Sequence, residues 1–167
     1  MDTGSAGDFT GCVSFLGYPV FFKEDHIYKV YGSIPSNFEV MGSATLGVAK
    51  GSGGSLAIAG ERLLYLSNSG VMIYSGGIPQ SLHDAFGMTR LRNGRAGSDG
   101  LKYYLSAQDE SGEWKLYVYD TRKGMWHIED KTHATHFCRY QGNTYFLTAE
   151  GEIALTGNIL DAPEGCT

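Results

Sequence analysis

Short apolar runs alternate with polar, glycine-containing turns along the whole chain, and the pattern recurs four times. Each unit reads as an apolar strand, a glycine turn, an aromatic strand, a polar turn and a third strand. The turn glycines are Gly17, Gly60, Gly100 and Gly142, separated by 43, 40 and 42 residues. Short runs bounded by turn signals are typical of β-strands and lack the 3.6-residue period of helices. The pattern therefore predicts four small antiparallel sheets.

Aromatic residues recur within the units. An aromatic strand follows each turn glycine, and a tyrosine closes the third strand of three units, at Tyr31, Tyr74 and Tyr119. We expect these tyrosines to pack between neighbouring sheets, because strands covered on both faces favour bulky side chains. The first strand of the third unit is the weakest in the pattern, since only an irregular stretch precedes Gly100.

The repeat length favours one architecture. A lone sheet of three or four strands leaves both faces exposed, whereas sheets stacked around an axis bury them. A period of about 42 residues with four strands is typical of a β-propeller blade. We therefore predict an all-β chain whose residues 1–167 form one β-propeller domain, or a fragment of one. The four antiparallel blades have approximate bounds of 11–41, 54–86, 90–130 and 133–161. A four-bladed ring, a slice of a longer propeller and an open array that closes by dimerising are the alternatives.

Composition and charge narrow the function. The chain has 24 glycines, 4 prolines and 11 tyrosines, which suits many strands and tight turns. Its net charge of −5 argues against nucleic-acid binding, which depends on Lys and Arg. Arg90, Arg92 and Arg95 are a local exception, for which a solvated loop is favoured over an anion site. We expect no signal peptide, since the N-terminus lacks a basic and an apolar region, and no membrane span, since no apolar run approaches about 18 residues.

Three cysteines, Cys12, Cys138 and Cys166, match neither a disulfide scaffold nor a zinc motif. Reduced thiols are the simplest interpretation, and an exposed Cys166 is expected near the C-terminus.

Metal-ligand residue types cluster in one segment of the chain. They are His127, Glu129, Asp130, His133, His136 and Cys138. A metal site is one interpretation. On an extended strand, however, His133 and His136 point to opposite faces; His136 and Cys138 share a face, but two ligands do not make a site. We therefore predict no bound metal or other cofactor and interpret these residues as structural, with His127, His136 and Cys138 as the candidates if a metal binds.

Paired carboxylates raise the possibility of glycoside hydrolysis, for which two carboxyls must face each other across a cleft. The candidates are Asp120 and the pairs Asp109–Glu110 and Glu129–Asp130. Two of these acids lie in a predicted hairpin turn, where solvated carboxylates are the ordinary case. The stretch 51–55, Gly-Ser-Gly-Gly-Ser, lacks the ending of a phosphate loop, so we predict a flexible loop between blades. No catalytic residue is assigned, and the chain is predicted not to be an enzyme.

The third unit carries a resemblance. Its segment 117–126, Tyr-Val-Tyr-Asp-Thr-Arg-Lys-Gly-Met-Trp, resembles a kelch-type propeller blade, which implies packing roles for Tyr119 and Trp126. The wider stretch from Lys102 to Phe146, with its Trp-His-x-Glu-Asp segment, is similar to propeller proteins of phages and prophages of Gram-positive bacteria. That resemblance implies a virion-associated structural protein without catalytic residues.

Two functions remain open. The first is a structural or interaction propeller in a phage particle, whose partners are other virion proteins or further copies of itself. The alternative is a propeller that binds cell-surface glycans in host recognition, with Trp114, Tyr18 or Tyr28 stacking on sugar rings. Packing between blades is the competing interpretation of those three aromatic residues.

Overall fold

The computed structural model of the chain describes residues 4–82 and 90–156. These residues form 15 strands in four antiparallel sheets, with two 3-10 turns, Pro35–Asn37 and Gly53–Ser55, and no α-helix. The prediction of an all-β chain with four antiparallel sheets is confirmed. Within the described ranges no helix has the length and apolarity needed to cross a membrane. The predicted blade ends at 86 and 161, and Cys166, lie outside the described residues.

Each sheet is a meander in which strands adjacent in sequence pair with each other. Sheet 1 contains β1 Gly11–Phe15, β2 Tyr18–Phe22, β3 His26–Tyr31 and β4 Glu39–Ala44. Sheet 2 contains β5 Ala57–Ala59, β6 Arg62–Ser67, β7 Gly70–Tyr74 and β8 Gln80–Ser81. Sheet 3 contains β9 Arg92–Ser98, β10 Lys102–Gln108, β11 Trp114–Asp120 and β12 Met125–Asp130. Sheet 4 contains β13 Ala134–Tyr140, β14 Asn143–Thr148 and β15 Ile153–Leu155.

The four sheets stack face to face in chain order. One buried cluster, which includes Phe22 and Tyr65, joins sheet 1 to sheet 2. A second, which includes Leu66 and Tyr103, joins sheet 2 to sheet 3. The third centres on Tyr104 and joins sheet 3 to sheet 4. No cluster of the described residues joins sheet 4 back to sheet 1, so the described sheets form an open series.

Each sheet has two faces, since side chains alternate along a strand. We call the face toward the next sheet in the chain the forward face and the opposite one the backward face. The backbones of neighbouring sheets come together mainly at the first strands, where β9 lies beside both β5 and β13. The fourth strands, such as β4 and β12, are largely exposed.

The turn glycines lie in hairpins, but they do not occupy equivalent positions. The two-residue turns at Leu16-Gly17, Gly60-Glu61 and Gln141-Gly142 have positive φ at both residues, as a type I′ turn requires. Glycine is the second turn residue in sheets 1 and 4 and the first in sheet 2. Gly100 lies in a longer turn, in which the Asp99 carboxylate accepts two backbone N–H bonds.

The stretch before Gly100 is a regular strand, β9, and the expected solvated loop at Arg92 and Arg95 was wrong. The Arg95 guanidinium donates to the carbonyl oxygen of Gly51 at 2.7 Å and therefore ties β9 to the segment before sheet 2. Glycines hide this strand in the sequence. A Cβ on Gly97 would lie 2.5 Å from the Cβ of Phe137, so close sheet packing excludes the usual strand residues there.

The glycine- and serine-rich stretch 51–55 contains a 3-10 turn and is held in place by its two serines, so the expected flexible loop was also wrong. The Ser55 hydroxyl accepts the N–H of Leu66 at 2.9 Å, and the Ser52 hydroxyl accepts the N–H of Gly94 at 3.0 Å. Both serines are 0% exposed. The segment links sheets 2 and 3 through hydrogen bonds, which composition alone does not reveal.

The closing tyrosines lie on different faces. Tyr74 and Tyr119 are buried on the backward faces of sheets 2 and 3, in the clusters that join them to the preceding sheets. Trp126 packs against Tyr119, with ring centroids 5.1 Å apart. Tyr31 belongs to none of the three clusters and contacts Tyr18 within sheet 1 instead. Its position is shifted by one residue relative to the other two tyrosines, and such a shift reverses the face.

Candidate functional site

The candidate metal ligands do not converge. His127 lies on β12, at the outer edge of sheet 3, whereas His136 and Cys138 lie on β13, the first strand of sheet 4. His136 accepts or donates a hydrogen bond with the neighbouring Thr135 hydroxyl at 3.2 Å. Across residues 4–82 and 90–156, no group of three or more His, Cys, Asp or Glu side chains can hold a metal ion.

His133 has a packing role. Its ring stacks on the Trp114 ring, with centroids 3.5 Å apart and planes 11° apart. The stack joins the start of β11 to the segment that leads into sheet 4. One face of Trp114 is therefore already occupied by a protein ring.

Asp109 organises the hairpin between β10 and β11. Its carboxylate accepts bonds from the Ser111 hydroxyl at 2.6 Å, the Glu113 N–H at 3.0 Å and the Lys115 ammonium at 2.6 Å. The bond from Lys115, followed by that from Ser111, holds the pKa of Asp109 well below its usual value, despite burial. A carboxylate held ionised in this way is suited to fixing a turn and unsuited to donating a proton.

Asp120 has a similar structural role at the opposite end of β11. Burial raises its pKa, but the backbone N–H groups of Lys123 and Arg122 outweigh burial and leave the pKa below its usual value. Asp120 is the last of the seven residues of β11, whose first residue adjoins the turn of Asp109; this corresponds to roughly 20 Å along the strand. That separation exceeds the range of about 5–9.5 Å between the carboxyls of glycosidases.

Glu129 and Asp130 lie at an irregularity of sheet 3. Leu116 pairs with Asp130 and Tyr117 pairs with Ile128, which leaves Glu129 as the extra residue of a β-bulge. Partial desolvation raises the pKa of Glu129, although the residue as a whole is exposed. Asp130 accepts the N–H of Thr132 at 2.8 Å and so terminates the strand.

The proposed sugar-stacking aromatics differ in accessibility. Tyr28 is only 4% exposed, and its ring contacts Phe9, so it offers no face to a ligand. Tyr18 is 39% exposed and lies 4.7 Å from the Tyr31 ring. Of the three residues proposed from the sequence, Tyr18 presents the most accessible ring.

The most distinctive surface is the forward face of sheet 4, and sequence reasoning did not find it. Equivalent positions can be counted from the residues that flank the two-residue turns. Tyr18, Arg62 and Asn143 directly follow these turns, and the residues two positions later are Val20, Leu64 and Tyr145. Val20 and Leu64 are fully buried against the next sheet. Tyr145 therefore belongs to a face that is built to be covered.

Counting from the turns in the same way identifies further residues of this face. Ile27 and Val71, on the third strands, are 3% and 7% exposed, whereas the equivalent Ile153 is 77% exposed. Leu147, which pairs with Ile153, is also exposed. The forward face of sheet 4, defined by Cys138, Tyr145, Leu147, Ile153 and Leu155, thus repeats positions that are buried or half-buried in sheets 1 and 2.

The backward face of sheet 1 is at the other end of the series and is partly covered. Phe9 packs edge-to-face on Phe21 and Tyr28, at 6.0 and 5.9 Å. The Lys23 ammonium lies 5.1 Å from the centre of the Phe9 ring and donates to the carbonyl oxygen of Ser5 at 2.7 Å. Phe9 itself remains 53% exposed, so this segment gives only a partial cover.

Comparison with models of protein families gives no match for the chain, and comparison with curated proteins gives none either.

Proposed function

We propose that the chain is a non-enzymatic interaction module, built as a β-propeller or a segment of one, with a structural role in a phage or prophage particle. The observation that carries the proposal is the stacking of four meander sheets in chain order, with their first strands close together. Such stacking is how propeller blades bury their faces. The virion setting rests on the resemblance of the third unit to phage propeller proteins.

Two features support an interaction role. The candidate acids Asp109 and Asp120 are bound by local backbone and side-chain donors that fix turns. By contrast, the forward face of sheet 4 exposes Leu147 and Ile153 at positions that sheets 1 and 2 bury. Exposed apolar patches of this kind favour protein–protein contact over turnover of a substrate.

Fractionation of phage particles tests the proposal. Prophage induction in the source bacterium, followed by density-gradient purification and mass spectrometry, is expected to find the chain in the particle fraction at a constant ratio to the major capsid protein. Recovery only in the particle-free fraction would contradict a virion role. Particles from a strain carrying a deletion of the coding region provide the control for non-specific adsorption.

Glycan binding is a second candidate, favoured by the exposed Tyr18 ring beside Tyr31. Stacking of one sugar on an aromatic ring would make binding to cell-wall polysaccharide sensitive to Tyr18→Ala. Tyr140, which is 63% exposed on sheet 4, supplies the matched control variant Tyr140→Ala. Equal polysaccharide binding by both variants would rule out this surface as the glycan site.

A further inference from the structure

The three sheet junctions share a feature at their first strands. In every sheet, one first-strand residue on the backward face is followed directly by one on the forward face. These consecutive pairs are Cys12-Val13, Leu56-Ala57, Ala96-Gly97 and Phe137-Cys138. Leu56 immediately precedes β5 and packs against the cluster between sheets 1 and 2.

At each junction the forward residue of one sheet and the backward residue of the next lie on the facing sides of the two sheets. Val13 and Leu56 pack against the same cluster between sheets 1 and 2. Ala57 and Ala96 pack against the cluster between sheets 2 and 3. Between sheets 3 and 4 the approach is closest, since a Cβ on Gly97 would lie 2.5 Å from the Cβ of Phe137.

Sheet 4 has no following sheet among the described residues and sheet 1 has no preceding one, so one first-strand residue of each has no counterpart. Both of these residues are cysteines. Cys138 is the forward residue of sheet 4 and pairs with Tyr145, while Cys12 is the backward residue of sheet 1 and pairs with Phe21. Both are free thiols on exposed residues. A fifth sheet that followed the observed rule would therefore place its backward residue next to Cys138.

We infer that the forward face of sheet 4 binds the backward face of sheet 1 of a second copy of this chain, head to tail. The contact continues the series of junctions already present within the chain and brings Cys138 beside Cys12 of the second copy. This inference deepens the proposed interaction function, on which it rests, by naming the partner and the two faces.

The chemistry of the two faces agrees with this partner. The forward face of sheet 4 offers Leu147 and Ile153 at positions where sheet 1 uses Phe22 and Ile27 to fill a junction. The backward face of sheet 1 offers Phe21, which is equivalent to the buried Tyr65 of sheet 2 by the same count from the turn. Both faces therefore carry apolar side chains at similar distances from the first turn of their sheets.

The N-terminal cover does not block the first strand of sheet 1. Phe9 contacts Phe21 and Tyr28, which lie on β2 and β3, whereas Cys12, Ser14 and Pro19 on the same face remain exposed. Phe9 thus covers part of β2 and β3, and the thiols meet at the uncovered first strand.

Disulfide trapping with complementary variants tests the inference in the full chain. Cys166→Ser is introduced first, so that Cys12 and Cys138 are the remaining thiols. From this background, Cys12→Ser and Cys138→Ser are made separately, and the proteins are oxidised mildly alone and as an equal mixture. Non-reducing gels and peptide mass spectrometry then identify the linked cysteines.

The expected result is a disulfide-linked dimer in the mixture, with Cys12 joined to Cys138, and none from either variant alone. Dimers of the Cys12→Ser variant alone would show that sheet 4 contacts sheet 4, which would overturn the head-to-tail arrangement. Absence of a dimer from the mixture would overturn it as well. Neither result touches the particle assay, which decides the broader interaction role independently.

A matched pair of surface variants shows whether the trapped contact uses the proposed face. Ile153→Asp is expected to lower the yield of the mixed dimer about tenfold or more, because it removes one isoleucine side chain from the buried contact. Ile78→Asp changes an isoleucine that is 85% exposed away from sheet 4 and is expected to leave the yield unchanged. Equal yields from the two variants would refute the assigned face.

Discussion

Gly97→Ala tests the packing of sheet 3 on sheet 4 with a single methyl group. The added Cβ would lie 2.5, 2.8 and 2.9 Å from the Cβ, Cγ and Cδ1 atoms of Phe137. Carbon atoms in favourable contact are about 3.5–4.0 Å apart, so one of the two sheets must move by about 1 Å. Gly97 does not have a positive φ, so its backbone accepts alanine and the substitution isolates the side-chain contact.

Two opposing effects set the magnitude. Overpacking of a buried site costs about 1–3 kcal/mol of unfolding free energy. Replacing glycine with alanine stabilises the chain by about 0.4–1 kcal/mol, since it restricts the unfolded state. The overpacking cost is the larger effect, so we expect Gly97→Ala to lower the unfolding free energy by about 1–2 kcal/mol.

Urea unfolding followed by tryptophan fluorescence measures this change, because both tryptophans, Trp114 and Trp126, lie in sheet 3. Gly77→Ala is the control, since a Cβ there has open space and no positive φ. It is expected to be neutral or stabilising. A Gly97→Ala protein as stable as the wild type would refute the close approach of the sheets.

A double-mutant cycle with Phe137→Ala sharpens the test. Removing the ring of Phe137 allows β13 to adjust, so the penalty of Gly97→Ala is expected to shrink, with a coupling energy of at least about 0.5 kcal/mol. Effects that add within about 0.3 kcal/mol would show that the two residues do not share a contact.

Three further outcomes follow from single side chains. Ser55→Ala leaves the N–H of Leu66 without its acceptor in a buried site, so urea unfolding is expected to show a loss of about 1–3 kcal/mol; an unchanged midpoint would contradict the role of this hydroxyl. Asp109→Asn is expected to be less stable than the wild type at neutral pH. Because the pKa of Asp109 is lower in the folded than in the unfolded chain, the difference in unfolding free energy should narrow as the pH falls below the unfolded-state pKa of about 4. A constant difference in urea titrations from about pH 7 to about pH 2 would contradict this role of Asp109. Trp126→Phe removes a buried Nε1 that has no hydrogen-bond partner among the described residues. Because no hydrogen bond is broken, thermal unfolding is expected to show a decrease in the free energy of unfolding of less than about 1 kcal/mol.

The sequence predicted the number and character of the sheets, because the signals for them are local. A type I′ turn needs positive φ at two consecutive residues, and Gly17, Gly60 and Gly142 each supply one of the two without side-chain strain. The strand beside each of these turns has enough aromatic and β-branched residues to be recognised without knowledge of its neighbours.

Features set by contact between sheets escaped prediction. In β9, Gly94 and Gly97 are dictated by the side chains of neighbouring sheets, so the strand has almost none of the residues that favour strands. The segment 51–55 has the composition of a flexible linker, yet Ser52 and Ser55 are buried, and each accepts a backbone N–H from a strand, 42 and 11 residues further along the chain respectively. Local composition carries no record of such partners.

The register of each hairpin decides which surface is free to interact, and this is why the forward face of sheet 4 emerges only from the structure. Spacing alone aligned Gly17 with Gly60 and Tyr31 with Tyr74, but the turns place these residues one position apart, and a shift of one residue exchanges the two faces of a strand. Once the pairs flanking the turns are used instead, Ile153 aligns with Ile27 and Val71, and its exposure contrasts with their burial. An exposed isoleucine is unremarkable by itself. It becomes evidence for a binding face because two other sheets of the same chain bury the same position.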